Sequence, residues 1–554
     1  MLSSCKENLP SFSSQVNTSD ISSLDSKEDF ASSFPKDENG FKIVEKDYFS
    51  NKEDPSSKGE TNQVKFGEKI EGVPIYSSFK LFLAGEEVPV YSVKINQDQT
   101  WSAEAKNRVA TGVASFSLKG KATLKLQCAF NPLNDVKIRP LGRNIPFQID
   151  SARWVISFEI DTPGQYVIET RYRTLHLFVN EWKETPQNTI VFSSGLHTKE
   201  NDNRINSNNE IILHNGSHIF LEEGAIVRAK IKAYDAYHIS ISGPGFIDGS
   251  LFERNVSKGI ANVPLDISFC NDVTLEDFFV LDPAGWAFNL YFSSNLHLKN
   301  TKIISSRSNG DGISVQSCKN LEADSCFVRS WDDSLVVKNY VNWRTNQEGE
   351  TSSIHFKNCL IITDLAQSME IGYETIGEKM EDISFENISV LHAYHKPVFS
   401  IHNGNNAKIR NVTYKNITVE DLSIGKGDGT PYLFDFDVSH SSTWSDAHKI
   451  TSLGDIDGVH VENIKIIAGR EAPKIKITGS LEKRNGFPNV AHKFFNVTFK
   501  DVDIYGKTLD SSYSYLETAY AENVQYQKTG KVITGATYPK TDVSSFSNNI
   551  IRVK

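Results

Sequence analysis

"SNGDGISVQSCKNLEADSCFVRSWDDSLVVK" runs from Ser308 to Lys338. It sets Asp311 between two glycines and places the pair Asp332-Asp333 twenty-one residues further on. A short apolar run follows each motif, Ile313-Ser314-Val315 and Leu335-Val336-Val337. Runs of that length bounded by Gly, Asn and Asp read as strands. The spacing matters because it is close to the shortest interval at which the rest of the chain repeats.

The repeat is visible in "NDVTLEDF" (from Asn271), "SNLHLKNT" (Ser294), "CKNLEADS" (Cys318), "SSIHFKNC" (Ser352), "EDISFENI" (Glu381), "RNVTYKNI" (Arg410), "DGVHVENI" (Asp457) and "FNVTFKDV" (Phe495). Its marking residues are Val273, Leu296, Leu321, Ile354, Ile383, Val412, Val459 and Val497, at spacings from 23 to 47. A floor near 23 with variable excess is the signature of a solenoid with loops inserted on some coils. Short strands with almost no helical period between them predict a right-handed parallel β-helix over 189–554. The Asn or Asp after each strand is the residue that turns the chain between faces.

Residues 65–188 have a different texture. "VASFSLKGKATLKLQCAF", "WVISFEI" and "QYVIETRY" are alternating runs broken by Gly, Pro, Asn and Asp. They predict an antiparallel β-sandwich of roughly seven or more strands. The fold class is therefore all-β, a sandwich followed by a β-helix. Residues 1–64 are rich in Ser, Lys, Asp, Glu and Asn without apolar period, as a flexible tether would be. Leu2-Ser3-Ser4-Cys5 resembles a bacterial lipobox, so the expectation is an extracytoplasmic protein, at the cell surface or in the periplasm, lipid-anchored at Cys5.

Composition narrows the function. The chain of 554 residues carries a net charge of −10. That argues against nucleic acid as a partner, because phosphates call for a basic surface. No apolar run is long enough for a transmembrane helix, so membrane contact is expected only through the anchor. The six cysteines form no CxxC or Cys/His cluster. They read as buried small hydrophobes, with a Cys318–Cys326 disulfide as the other reading. No metal or cofactor is expected, and the oligomeric state is left open.

If one coil separates Asp311 from Asp332-Asp333, strand spacing brings the three carboxylates within ~4.8 Å steps of one another. Crowded carboxylates raise one another's pKa, so the cluster can supply both an acid and a base. An inverting glycosidase needs that combination: an acid for the leaving oxygen and a base for the water, ~6.5–9.5 Å apart. Turn residues and a calcium site are the other readings of such acids.

At this point the sequence resembles the polygalacturonases (glycoside hydrolase family 28) and the dextranase-like (family 49) β-helix enzymes. Asn309-Gly310-Asp311-Gly312 stands for the family's Asn-Thr-Asp-Gly, and Asp332-Asp333-Ser334 with Lys338 for its Asp-Asp-Cys and following Lys. "GPGFIDGS" (Gly243–Ser250) resembles the Gly-x-Gly-x-Ile-Asp-Gly signature, and Trp286 stands in the Ser-Pro-x-x-Trp coil. The resemblance implies Asp332 as general acid, with Asp311 and Asp333 holding and activating the water. Repulsion from its two neighbours is expected to raise the pKa of Asp332.

The departures bear on the substrate. In "AQSMEIGYET", Gln367 replaces the family's histidine and Glu370 is an added acid; in "FSIHNGNN" the Arg-x-Lys that grips a uronate is missing. A galacturonate would meet an acidic wall without a counter-charge. The expected substrate is therefore a neutral α-glucan such as dextran, or an algal galactan. Glu370 and His402 are expected to bind sugar hydroxyls, and Trp286, Trp331, Trp343 and Tyr373 to stack on pyranose faces. A polysaccharide lyase and a non-catalytic glycan-binding β-helix are the alternatives. Deleting the residues before about 64 should leave melting temperature and activity unchanged; a loss of either in a truncated chain would place that segment in the folded body.

Overall fold

The computed structural model describes residues 62–529, apart from 99, 103–104, 133–134, 446–451 and 484–487. The expected tether and lipobox lie almost wholly outside the described residues. The first ordered strand, Gln63–Lys65, begins at the end of that segment.

Eleven strands between Gln63 and Glu181 form two sheets. One contains Gln63–Lys65, Tyr91–Asn96, Arg108–Lys119, Lys137–Arg139, Gly164–Glu169 and Thr174–Glu181; the other contains Phe79–Leu83, Glu86–Val88, Ala122–Cys128, Phe147–Asp150 and Val155–Ile160. Alternation along the strands decides which way each side chain points. Leu175, Leu177 and Val179 face Leu81, Leu124, Leu126 and Ile156 across the sandwich. Phe178, Val167, Val93 and Ile95 point the other way, onto Phe279, Ile304, Phe327 and Ile362 of the β-helix. The first sheet is thus buried on both faces. One pairing departs from the antiparallel expectation: Thr174–Glu181 runs parallel to Arg108–Lys119. A strand apolar on both sides, such as this one, suits the centre of a sheet covered on both faces.

The β-helix follows, with two long sheets, one of 21 strands and one of 11, parallel except where Lys507–Thr508 turns back on Phe494–Ile504. The eight marking residues pair in direct register, from Val273↔Leu296 through Leu321↔Ile354 to Val459↔Val497. The ladder extends one coil further at the C-terminal end, through Val524, and three at the other, through Tyr237–Ser242, His218–Leu221 and Ile190–Phe192. The turn residues Asn300, Asn358, Asn387, Asn416 and Asn463 adopt left-handed φ of 53–57°. Asn tolerates that region because its short amide bonds locally. Here the amides also stack, Asn463 Nδ2 donating to Asn416 Oδ1 at 2.7 Å and Asn416 Nδ2 to Asn387 Oδ1 at 3.0 Å. Inside the coils Phe356, Phe385 and Tyr414 stack at 5.2 Å. Cys128, Cys270, Cys318, Cys326 and Cys359 are all buried free thiols, so the alternative Cys318–Cys326 disulfide is not formed. Cys318 Sγ instead donates to Leu290 O at 3.3 Å.

Sandwich and β-helix are also joined by a buried ion cluster. Arg139 donates to Glu169 at 2.8 Å and to Glu420 at 2.5 Å, and His392 bridges Glu169 and Asp421. Removing one partner of such a cluster leaves buried charge uncompensated. Arg139→Ala should therefore destabilise the protein by about 3–5 kcal/mol, measured as a fall in the urea midpoint.

Candidate active site

The catalytic candidates sit where the chain turns from the long ladder into the 11-stranded one. Backbone bonds set the alignment. Ala287 N–H donates to Asp311 O at 2.9 Å, Gly312 N–H to Asp333 O at 2.8 Å and Ser334 N–H to Gln367 O at 2.9 Å. In register, Trp286, Asp311, Asp333 and Gln367 therefore occupy one lateral position on four successive coils. Asp332 precedes that row by one residue, in a bend. Asp333 N–H donates to Asp332 Oδ1 at 3.1 Å, and Ser330 Oγ to Asp332 O at 2.6 Å. The bend lets two consecutive carboxylates serve one face, which a regular strand would forbid.

The glycines around Asp311 are explained by the same close approach. A Cβ on Gly312 would stand 2.3 Å from Ser334 O and 2.4 Å from Val328 Cγ1. Beneath the bend runs a chain of buried hydroxyls: Ser330 to Ser334 at 2.7 Å, Ser334 to Thr363 and Thr363 to Ser368 at 2.8 Å each. Satisfied in this way, the polar layer holds the turn without leaving hydroxyls orphaned.

Asp311 is buried; Asp332 and Asp333 are half-buried. Burial, and then the charge of Asp332, push the Asp311 carboxyl well above the usual range, with Lys338 opposing. Burial and Asp332 likewise push Asp333 up to about 8, although its Oδ1 accepts the Gln367 N–H at 3.0 Å. The raised carboxyls are thus Asp311 and Asp333. In a cluster this tight the protons belong to the group as a whole, and at neutral pH it retains at least one.

Lys338 lies between carboxylates, its Nζ 3.2 Å from Glu374 Oε2 and 3.9 Å from Asp311 Oδ2, with the Trp286 ring centre at 5.7 Å. The sequence reading missed Glu374. Its signal was the alternation Glu370, Gly372, Glu374 within the strand Met369–Thr375. Glu370 and His402 are fully buried rather than lining the surface. His402 places Nδ1 2.7 Å from Glu370 Oε1 and Nε2 3.3 Å from Asp435 Oδ2, which spends both ring nitrogens. Burial alone would lower its pKa; the two carboxylates reverse that and raise it to about 10. The imidazolium lies flat beneath Tyr373, ring centres 4.2 Å apart and planes 2° from parallel. It supports the tyrosine where a sugar contact was expected. Asp435, also missed, belongs to the outward set Asp435/Asp437 of strand Tyr432–Val438, both bound by Lys476.

Of the aromatic candidates, Trp286 and Tyr373 are half-exposed, as is Gln367. Trp331 is wholly buried against Ala105 and Leu365, so it is core and not a stacking surface. Trp343 is exposed but sits against Phe269 and Arg344 on the insert after Lys338. No cluster of three or more metal-ligating side chains occurs among the described residues.

Residues 196–363, which hold all three aspartates and Lys338, match the model for glycosyl hydrolases family 28. The matched stretch is the part of the β-helix that carries the candidate site. Among solved structures it resembles Dex49A from Penicillium minioluteum, at 12% identity over 85% of this chain and 97% of that one, with a TM-score of 0.57. It also resembles a family 28 exopolygalacturonase from Yersinia enterocolitica, at 15% identity over 84% and 100%, with a TM-score of 0.44. At such identity the likeness to Dex49A is one of fold. No curated protein matches.

A carboxyl that titrates near 8 when folded, and near the usual carboxylate value when unfolded, binds more protons in the folded state across the interval between. Folding stability from this group is present at low pH and declines as pH rises from about 4 to about 8. Asp333→Asn keeps an acceptor for Gln367 N–H and removes the titration. Its melting temperature relative to the native chain should rise across that window; a difference constant with pH would contradict the assignment.

Proposed function

We propose that the protein is an inverting glycoside hydrolase acting on a polysaccharide or oligosaccharide other than galacturonan. The observation that carries the reading is the gathering of Asp311, Asp332 and Asp333 on adjacent coils with a retained proton. In this reading the proton shared by the cluster reaches the leaving oxygen through Asp332, in the bend beside the half-exposed cleft residues. Asp311 and Asp333, stacked one coil apart, hold the water and take its proton as it attacks the anomeric carbon. Lys338 fixes Asp311 and favours its ionised, proton-accepting form. Trp286, Gln367 and Tyr373 contact the sugar; Glu370 and His402 hold Tyr373 from below.

The substrate class follows from the charge on this face. Lys338 and Lys476 are each already held by two carboxylates. Those partners are Asp311 and Glu374 for Lys338, and Asp435 and Asp437 for Lys476, so carboxylates outnumber lysines two to one around these cations. A uronate arriving here would exchange its hydration for carboxylate neighbours, an unfavourable trade. A neutral α-glucan or an algal galactan has no such conflict. A polymer of that kind is met outside the cytoplasm, which is where we place the protein.

A panel of neutral α-glucans, galacturonan and algal galactans, read by reducing ends and by ultraviolet absorbance, tests the reading. Reducing ends without unsaturated product are expected from a neutral polymer or galactan. Cleavage of galacturonan alone would sink the substrate assignment. Unsaturated product would mean a lyase.

The division of roles has its own test. Asp332→Asn should abolish polymer cleavage while sparing an aryl glycoside with an activated leaving group, since general acid help of about 10²–10⁴-fold is then less needed. Asp311→Asn and Asp333→Asn should lose both activities. The first anomer released, followed by NMR, should be inverted; a retained anomer would rule out the mechanism.

A further inference from the structure

We propose that Trp101, carried by the N-terminal sandwich, is a sugar-stacking residue in the wall of the β-helix cleft. The inference rests on the hydrolase reading above and adds a contact site from the other part of the chain.

The loop that bears it joins strands Tyr91–Asn96 and Arg108–Lys119, which pair as an antiparallel hairpin. A hairpin needs only about two to five residues to close. Residues 97–107 exceed that, and both ends of the excursion are bound to the β-helix. Asn96 Nδ2 donates to Ser306 O at 3.4 Å, and Arg108 Nη1 reaches Asp282 Oδ1 at 3.1 Å. Within the loop, Ala105 is buried against Trp331 and Leu365. Trp101 N–H donates to Asp428 Oδ2 at 3.2 Å, and Asp428 Oδ1 lies 2.6 Å from His395 Nε2.

Register turns these contacts into a direction. Leu335, Met369 and Phe399 pair across three coils, so Trp331, Leu365 and His395, each four residues earlier, form one row. Ala105 meets that row at Trp331 and Leu365, and Trp101 meets it at His395 through Asp428. Asp332 is the next residue after Trp331, and Asp333 the one after that. Ala105 and Trp101 therefore stand beside the catalytic row. Trp101 stands at the level of His395, two coils from the Asp332 bend, or ~9.5 Å along the axis at the usual strand spacing. A sugar chain laid along the row would pass it beyond the bond being cut.

Trp101 is 40% exposed although its N–H is tied to Asp428. A loop that served only to dock the sandwich could present any residue there. A large, rigid ring with a polar edge, held at a cleft rim, suits the apolar face of a pyranose.

The test compares the native chain with Trp101→Ala and Trp101→Phe, on an oligosaccharide ladder from the polymer that the panel identifies. For Trp101→Ala, KM should rise roughly 3- to 10-fold on oligosaccharides long enough to span two coils. On the shortest substrate kcat and KM should stay unchanged, and Trp101→Phe should recover most of the loss. An equal effect at every length, or none at any, would overturn the proposal. Retention of each variant in gels containing the same polymers separates it from the hydrolase reading. A native chain that is retained but never cuts would refute hydrolysis, and Trp101 would then stand or fall on weaker retention of the alanine variant. A native chain neither retained nor active refutes both.

Discussion

Parallel backbone pairing between successive coils is the constraint on which the rest depends. It fixes any two aligned residues at about one strand spacing, ~4.8 Å, whatever their side chains prefer. Carboxylates left to themselves would separate. Here Gly312 N–H bonds to Asp333 O and Ala287 N–H to Asp311 O, so the backbone holds Asp311 and Asp333 together against their repulsion. Glycine at 312 is what lets the coils close at that point. The raised pKa of Asp311 and Asp333 is a consequence of burial and of this enforced proximity. The protein stores acid-base capacity by spending stability that its long apolar ladders supply.

The same ladder explains what could be read from sequence. Val273, Leu296, Leu321 and the five that follow announce themselves because each points inward and each is followed by a turn amide. Direct register then makes spacing in sequence a statement about position in space, and Asp311 and Asp333 inherit that legibility. Glu370 and His402 were visible as unusual residues, but their surroundings were not. His402 is engaged by Asp435, a residue reached only after the intervening insert. Nothing local says that an outward-pointing histidine is roofed by Tyr373. Trp331 misled for a related reason. Its roof, Ala105, lies more than two hundred residues earlier in the chain, on the sandwich.

The sandwich was legible as strands but not in its placement. Alternating runs reveal one apolar face per strand, while Thr174–Glu181 is apolar on both. That doubled face marks a sheet with a layer on each side: the second sheet on one, the β-helix on the other. The joint is polar as well as apolar, through Arg139, Glu169, His392 and Glu420. Neither half presents the surface of a free-standing module at this joint.

The repeats tolerate spacings from 23 to 47 residues without losing register. Extra residues are taken up at the ends of coils, as in the stretch after Lys338 and the one after Glu420, and the paired strands remain undisturbed. Floor and walls of the cleft are therefore under separate control. A change of one residue within a strand would flip a whole face and displace the aspartates. A change of ten in a wall leaves them where they are. Such a scaffold can reshape the walls of its cleft by lengthening or trimming its edges while the aspartates stay still, and the history of that cleft would be written in gaps rather than in substitutions.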